Sequence, residues 1–144
     1  MKRVQLEIVL GTIFVLLSAA IVIILGIREP QRLADYVLQQ RARQIEFGAA
    51  VFQSNCTACH GTSAQGITGI APSLRDEHFF TERLGEIGWG STLEDYIVSV
   101  VTTGRQVSTR AQYVGGGSPA MPTWSEKFGG PLRDDQIRAV AAYI

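Results

Sequence analysis

Cys56-Thr57-Ala58-Cys59-His60 is the stretch whose reading decides the fold. Two cysteines separated by two residues, with a histidine directly after the second, put two thiols and an imidazole within about one helical turn. A structural zinc site normally takes four Cys or His ligands, and would consume both cysteines and both histidines of the chain. A thioredoxin-like redox pair expects a preceding strand and a βαβ setting, and neither is readable here. A disulfide between the two cysteines leaves His60 without a role. Covalent haem attachment uses all three side chains: the thiols become thioethers to the vinyl groups, and His60 gives a nitrogen to the iron.

Downstream of the motif, the iron's other face needs a ligand. The chain has two methionines, and Met1 belongs to the start of the apolar stretch described below. Met121 lies 61 residues after His60, in Ser118-Pro119-Ala120-Met121-Pro122-Thr123-Trp124, where two prolines stiffen the backbone that presents the thioether. A lone methionine is usually core filler, but the flanking prolines and the lack of a rival methionine favour ligation. His78, in Arg75-Asp76-Glu77-His78-Phe79-Phe80, is the alternative, and a bis-histidine iron would have a lower potential. Arg105 or Arg110 reads either as solvated surface or as a charge-assisted partner for a haem propionate. Gly115-Gly116-Gly117 reads as a flexible connector, since no strand–helix context makes it a phosphate cradle.

Upstream, twenty consecutive residues from Ile8 to Ile27 carry no charge. At about 1.5 Å per residue such a helix is roughly 30 Å long, the thickness of a bilayer's hydrocarbon core. A cleaved leader would have an apolar region of about 7–15 residues followed by a small-residue cleavage site. Here Ser18-Ala19-Ala20 falls inside the stretch, and Ile21 to Leu25 continue it. The expectation is an uncleaved transmembrane anchor over 1–29. Pro30 is expected to break this helix or to open a new one. Leu33, Tyr36, Val37 and Ile45 then give a partial helical stripe, read as a juxtamembrane stalk helix over 30–45 that rests on lipid headgroups or a neighbouring subunit.

Charge excludes one class of partner. Thirteen basic residues balance thirteen acidic ones, so no global positive field points to nucleic acid. From Gln44 to Ile144 there are seven basic and ten acidic residues, and the chain's only lysines are Lys2 and Lys127. The lysine ring by which a freely diffusing carrier docks cannot be built from these. Positive residues flank the apolar stretch on both sides, Lys2 and Arg3 before it and Arg28, Arg32, Arg41 and Arg43 after it. Haem attachment of this kind takes place outside the bacterial cytoplasmic membrane. The expected topology is therefore single-pass, with the N-terminus inside and the haem domain on the periplasmic side.

From about Glu46 to Ile144 the chain resembles a class I cytochrome c. Gly48 and Phe52 sit ahead of the motif, Ala71-Pro72-Ser73-Leu74 follows it, and Met121 lies between prolines. The resemblance implies an all-α cytochrome c fold over 46–144, four to five helices around one covalent haem c. It implies that the Pro72 carbonyl accepts a hydrogen bond from His60. It implies a middle helix from Leu93 to Val101 capped by Thr92 or Ser91, and a last helix capped by Asp134 or Asp135. Tyr143 is expected to pack against Gly48. The last helix shows no stop signal at Ile144 and is expected to run further. Cys56, Cys59, His60, Met121 and Pro72 are the expected cofactor residues, with His60 and Met121 on the metal. No catalytic residue is expected, because a six-coordinate iron leaves no place for a substrate.

The anchored plan, with Gly88-Trp89-Gly90 in the run from Phe79 to Arg105, is similar to the mono-haem subunit of alternative complex III, a quinol-oxidising complex. The small subunit of nitric-oxide reductase and the cytochrome c subunits of terminal oxidases share that plan. The implied function is single-electron transfer as a membrane-anchored subunit. Its expected partners are the other subunits, the lipid bilayer, and a soluble cytochrome or copper protein or an oxidase as acceptor. A free-standing tethered shuttle is one alternative, and a haem enzyme or gas sensor with a labile sixth position is another.

Overall fold

Helix α1 runs without a break from Lys2 to Asn55 in the computed structural model, which describes residues 2–106 and 121–144. The break expected at Pro30 does not occur, for Pro30 lies inside the helix. A proline there forfeits one backbone hydrogen bond, the one to Gly26, while the flanking Leu, Ala, Gln and Arg residues are strong helix formers. Every side chain from Ile8 to Ile27 is exposed. The hydroxyls of Thr12 and Ser18 bond back to the carbonyls of Ile8 and Phe14, each at 2.8 Å, so the apolar run exposes no unsatisfied side-chain donor. Among the described residues this is the one helix long and apolar enough to cross a membrane.

The chain divides into two compact units, Met1–Arg41 and Ala42–Ile144. In the second unit the end of α1 is followed by α2 (Thr57–His60), α3 (Glu77–Thr81), α4 (Arg83–Glu86), α5 (Leu93–Thr103), a 3-10 turn (Glu126–Phe128) and α6 (Asp134–Tyr143). The fold is all-α, as expected: the described residues form no strand, only isolated bridges such as Arg105 with Met121.

Close approach between α1 and α6 organises the core. A Cβ on Gly48 would fall on the Ala139 carbonyl and lie 3.0 Å from the Cβ of Tyr143, so only glycine permits the crossing. One turn later Phe52, fully buried, meets the Tyr143 ring at 5.4 Å between centroids. Ile137 and Val140 complete the contact from α6. Burying each such side chain contributes about 1.5–3 kcal/mol.

Helix α5 starts as its sequence suggests. The Thr92 hydroxyl accepts from the Asp95 backbone N–H at 3.1 Å, while the Ser91 and Thr92 hydroxyls donate to the Asp95 carboxylate at 2.5 and 2.7 Å. The helix extends two residues past Val101, to Thr103. The start of α6 differs from expectation. Arg133 takes the cap position, and Asp134 and Asp135 are first-turn residues. The Gln136 side chain accepts from the Arg133 backbone N–H at 3.0 Å, the back-bond that a third-position Glu or Gln makes in a capping box.

Candidate functional site

The sequence motif closes into a single turn. α1 ends at Asn55, Cys56 caps α2, and the backbone N–H of His60 bonds the Cys56 carbonyl at 2.9 Å. The turn puts both thiols and the imidazole on one short segment. The cysteines form no disulfide; Cys59 is exposed and Cys56 half-buried. Burial, then the neighbouring Cys59, pushes the Cys56 thiol up to about 11, so at neutral pH it is protonated.

His60 is fixed by its second nitrogen. Its Nδ1 lies 3.0 Å from the Pro72 carbonyl oxygen. With Nδ1–H donated there, Nε2 keeps its lone pair for a metal. Burial holds His60 below the usual histidine range, only partly offset by the Pro72 bond, which favours the neutral imidazole that ligation requires.

Met121 is held against the end of α5. Gly104 closes that helix at φ +70°, a conformation open to glycine, and turns the chain so tightly that a Cβ there would meet the Met121 carbonyl oxygen at 2.6 Å. Arg105 and Met121 exchange backbone hydrogen bonds at 2.8 and 2.9 Å. The Thr123 hydroxyl donates to the Thr103 carbonyl at 3.0 Å, and the Trp124 N–H reaches Val101 at 3.2 Å.

Cys56, Cys59, His60, Pro72 and Met121 line one cavity. It encloses about 1150 Å³ of space with its open mouth included. Its walls are mostly apolar, with Phe52, Ile97, Val101, Trp124 and Val140 among them. Two thiols, an imidazole and a thioether opening into an apolar slot are the donor set and setting that a thioether-linked haem requires. His78 is not on this wall. Its Nε2 lies 2.7 Å from Glu86 and 3.8 Å from Glu82, so the zinc alternative with both cysteines does not assemble among the described residues. Arg105 lines the cavity. Arg110, Gly115 to Gly117 and Ser118 to Ala120 lie outside the described residues.

Two residues escaped the sequence reading. Arg83, 8 % exposed, and Tyr96, 6 % exposed, both line the cavity. Arg83 donates to the Tyr96 hydroxyl at 3.2 Å and to Glu86 at 3.1 Å. Burial opposes the charge of Arg83, but the bonds to Tyr96 and Glu86 outweigh it and hold the guanidinium above its ordinary range. The same Arg83 bond, then His78, holds Glu86 below the usual carboxylate range. The only sequence sign was an arginine set between Glu82 and Glu86, which reads as an exposed helix face.

Residues 43–144 match the family model described as cytochrome c oxidase, cbb3-type, subunit III. The FixP subunit of the cbb3-type cytochrome c oxidase from Sinorhizobium medicae is 30% identical over 112 residues, 78% of this chain and 32% of its own length. The CcoP subunit from Rhodobacter capsulatus is 34% identical over 119 residues, 76% of this chain and 33% of its own. Cytochrome c6 from Bryopsis maxima is 25% identical over 100 residues, 69% of this chain and 88% of its own. The chain thus spans about a third of the length of the oxidase subunits it matches. No solved structure matches it. The resemblance to alternative complex III drawn from Phe79 to Arg105 is not supported by these relatives, whereas the terminal-oxidase alternative is.

Proposed function

This chain belongs to the family of cytochrome c oxidase, cbb3-type, subunit III, and from that membership we propose that it is an electron-transfer subunit of a membrane-bound terminal oxidase, carrying one covalent haem c. The observation that carries the reading is the shared cavity of Cys56, Cys59, His60 and Met121 within the family-matched segment. Cys56 and Cys59 would supply the two thioether sulfurs, and His60 and Met121 the axial donors. When bound, the haem supplies a one-electron couple whose potential depends on axial ligands, burial and hydrogen bonds.

The chain's own residues set those terms. Pro72 orients His60 through Nδ1, leaving Nε2 directed to ligation. Gly104 and Arg105 set the backbone position of Met121. Phe52, Val101 and Val140 give the slot apolar walls. With His60 and Met121 both holding the iron, the site would leave no position for a substrate, so the subunit would relay electrons and leave catalysis to its partners.

Residues 1–29 serve as the membrane anchor, 30–45 as the juxtamembrane stalk and 46–144 as the cytochrome domain, with that domain on the periplasmic side. Its partners are the lipid bilayer and the other oxidase subunits, which accept its electrons.

Extraction from the membrane in mild detergent tests this. The expected result is co-migration with oxidase subunits and one covalent haem per chain by haemochrome assay. Migration alone as a monomer would overturn the subunit reading, and a chain without covalent haem would overturn the cofactor reading.

A further inference from the structure

Outside the cavity, one imidazole and two carboxylates gather on a single face of the α3–α4 pair. His78 lies on α3, Glu82 caps both helices, and Glu86 ends α4. Glu82 stays in the helical region, at φ −111° and ψ −27°, so steps of four residues place the three side chains over one another. His78 Nε2 lies 2.7 Å from a Glu86 oxygen and 3.8 Å from a Glu82 oxygen. All three donor atoms fall within 4.8 Å of one another. Two ligand atoms held at about 2.1 Å by a tetrahedral cation stand about 3.4 Å apart, and the two His78 distances bracket that separation. Side chains as open to solvent as these can rotate to close the remainder, and a cation in solution can reach them.

Glu86 is also held from behind. Its second oxygen accepts from Arg83 at 3.1 Å, which leaves the first directed at His78. The bonds from Arg83 and then His78 hold its carboxyl below the usual range, so it is ionised at neutral pH. An outer hydrogen bond that orients a carboxylate is what a metal ligand ordinarily has. The two carboxylates together exceed the single Arg83 charge beside them, so the face keeps a net negative charge for a cation.

We propose that His78, Glu82 and Glu86 form a surface site for a divalent transition-metal cation of the zinc type, which clamps α3 to α4. The donor set selects the class. Imidazole nitrogen suits zinc, copper and nickel, whereas magnesium and calcium prefer oxygen alone. Three protein donors leave the remaining coordination to water. Helices of five and four residues have little stability of their own, so a cation shared by all three side chains fixes the bend between them.

The test titrates the chelator-washed, haem-loaded protein with zinc chloride alone, by calorimetry, where both cysteines are thioethers and no thiol competes. Wild type should take one zinc per chain. His78→Ala and Glu82→Gln should each weaken binding about tenfold or more, since losing even an outer partner costs that much. Glu77→Gln, an exposed acid of α3 outside the cluster, should bind as wild type does. Zinc should raise the thermal midpoint of wild type and not of His78→Ala. Absorption at the zinc edge should show nitrogen and oxygen at about 2.0–2.2 Å and no sulfur near about 2.3 Å. Equal affinity in wild type and His78→Ala, a sulfur shell, or no binding at all would overturn the site. An equal loss in Glu77→Gln and Glu82→Gln would reduce it to a diffuse acidic surface and overturn it too. If His78→Ala fails to fold, Glu82→Gln, which leaves the His78–Glu86 bond in place, still decides.

Discussion

Gly104 and Met121 are one backbone assembly: a Cβ on Gly104 would lie 2.6 Å from the Met121 carbonyl oxygen and 2.7 Å from the Pro122 carbonyl carbon. Seventeen positions apart in sequence, the residue that ends α5 and the proposed axial thioether are locked by the two Arg105–Met121 hydrogen bonds. Ligand placement on this side of the cavity is thus set by a turn, whereas on the other side it is set by the contiguous Cys56-to-His60 segment.

Gly104→Ala should therefore strike stability and ligation together. Holding a non-glycine residue at positive φ costs about 1–3 kcal/mol, and relief of the Cβ contact must move the Met121 carbonyl. The expected outcome is a lowered urea midpoint with a weakened methionine–iron absorption band. A variant that keeps both at wild-type values would show that the turn does not position Met121.

That asymmetry also explains what was legible in the sequence. The Cys56-to-His60 motif is readable because attachment chemistry demands those residue types side by side. The place of Met121 on the cavity wall was expected because the other methionine, Met1, opens the apolar stretch, and Thr92 because capping is local. Arg83 and Tyr96 reach the cavity from α4 and α5 with no periodicity to announce them, whereas Arg105 was named in the sequence as one of two alternatives. Pro30 misled because its cost in a helix is a single backbone bond, which strong helix formers on both sides outweigh. Asp134 and Asp135 misled because either aspartate suits a cap, while Gln136 serves the Arg133 donor from the third helical position.

The crossing at Gly48 predicts an effect on the core alone. Gly48→Val puts side-chain atoms onto the Ala139 carbonyl and against Tyr143, and must separate α1 from α6. Overpacking of this kind costs about 1–3 kcal/mol, and more where backbone has to shift. The unfolding midpoint should fall while His60 and Met121 remain ligated in the folded fraction, as read by the absorption spectrum. Unchanged stability would mean the helices do not cross this closely.

The start of α5 carries a pH-dependent contribution. Thr92→Ala removes the cap to the Asp95 N–H and should cost about 1 kcal/mol. Hydrogen bonds from Ser91 and then Thr92 hold the Asp95 carboxyl below its usual range. A depressed carboxylate stabilises the fold above its unfolded value, near pH 4, and loses that contribution as pH falls through the folded value. Asp95→Asn should therefore be less stable than wild type at pH 7, with the difference vanishing in acid. Urea midpoints at neutral pH and near pH 3 check this; a constant difference across pH would overturn the assignment.

The closed site makes the sharpest prediction. With His60 and Met121 both ligating, the reduced wild-type protein should bind carbon monoxide slowly or only in a minor fraction. Met121→Ala removes the thioether and leaves the apolar slot between Trp124 and Val101 open to a diatomic ligand. Rapid carbon monoxide binding to the whole haem population is expected in the variant, together with loss of the methionine–iron band and a lower potential, since a thioether favours reduced iron. His78 gives the control. Its imidazole is engaged by Glu86 at 2.7 Å and is absent from the cavity wall, so His78→Ala should leave the spectrum and carbon monoxide binding as in wild type. If His78→Ala opened the iron and Met121→Ala did not, the axial pair would be His60 with His78, and the bis-histidine alternative would stand.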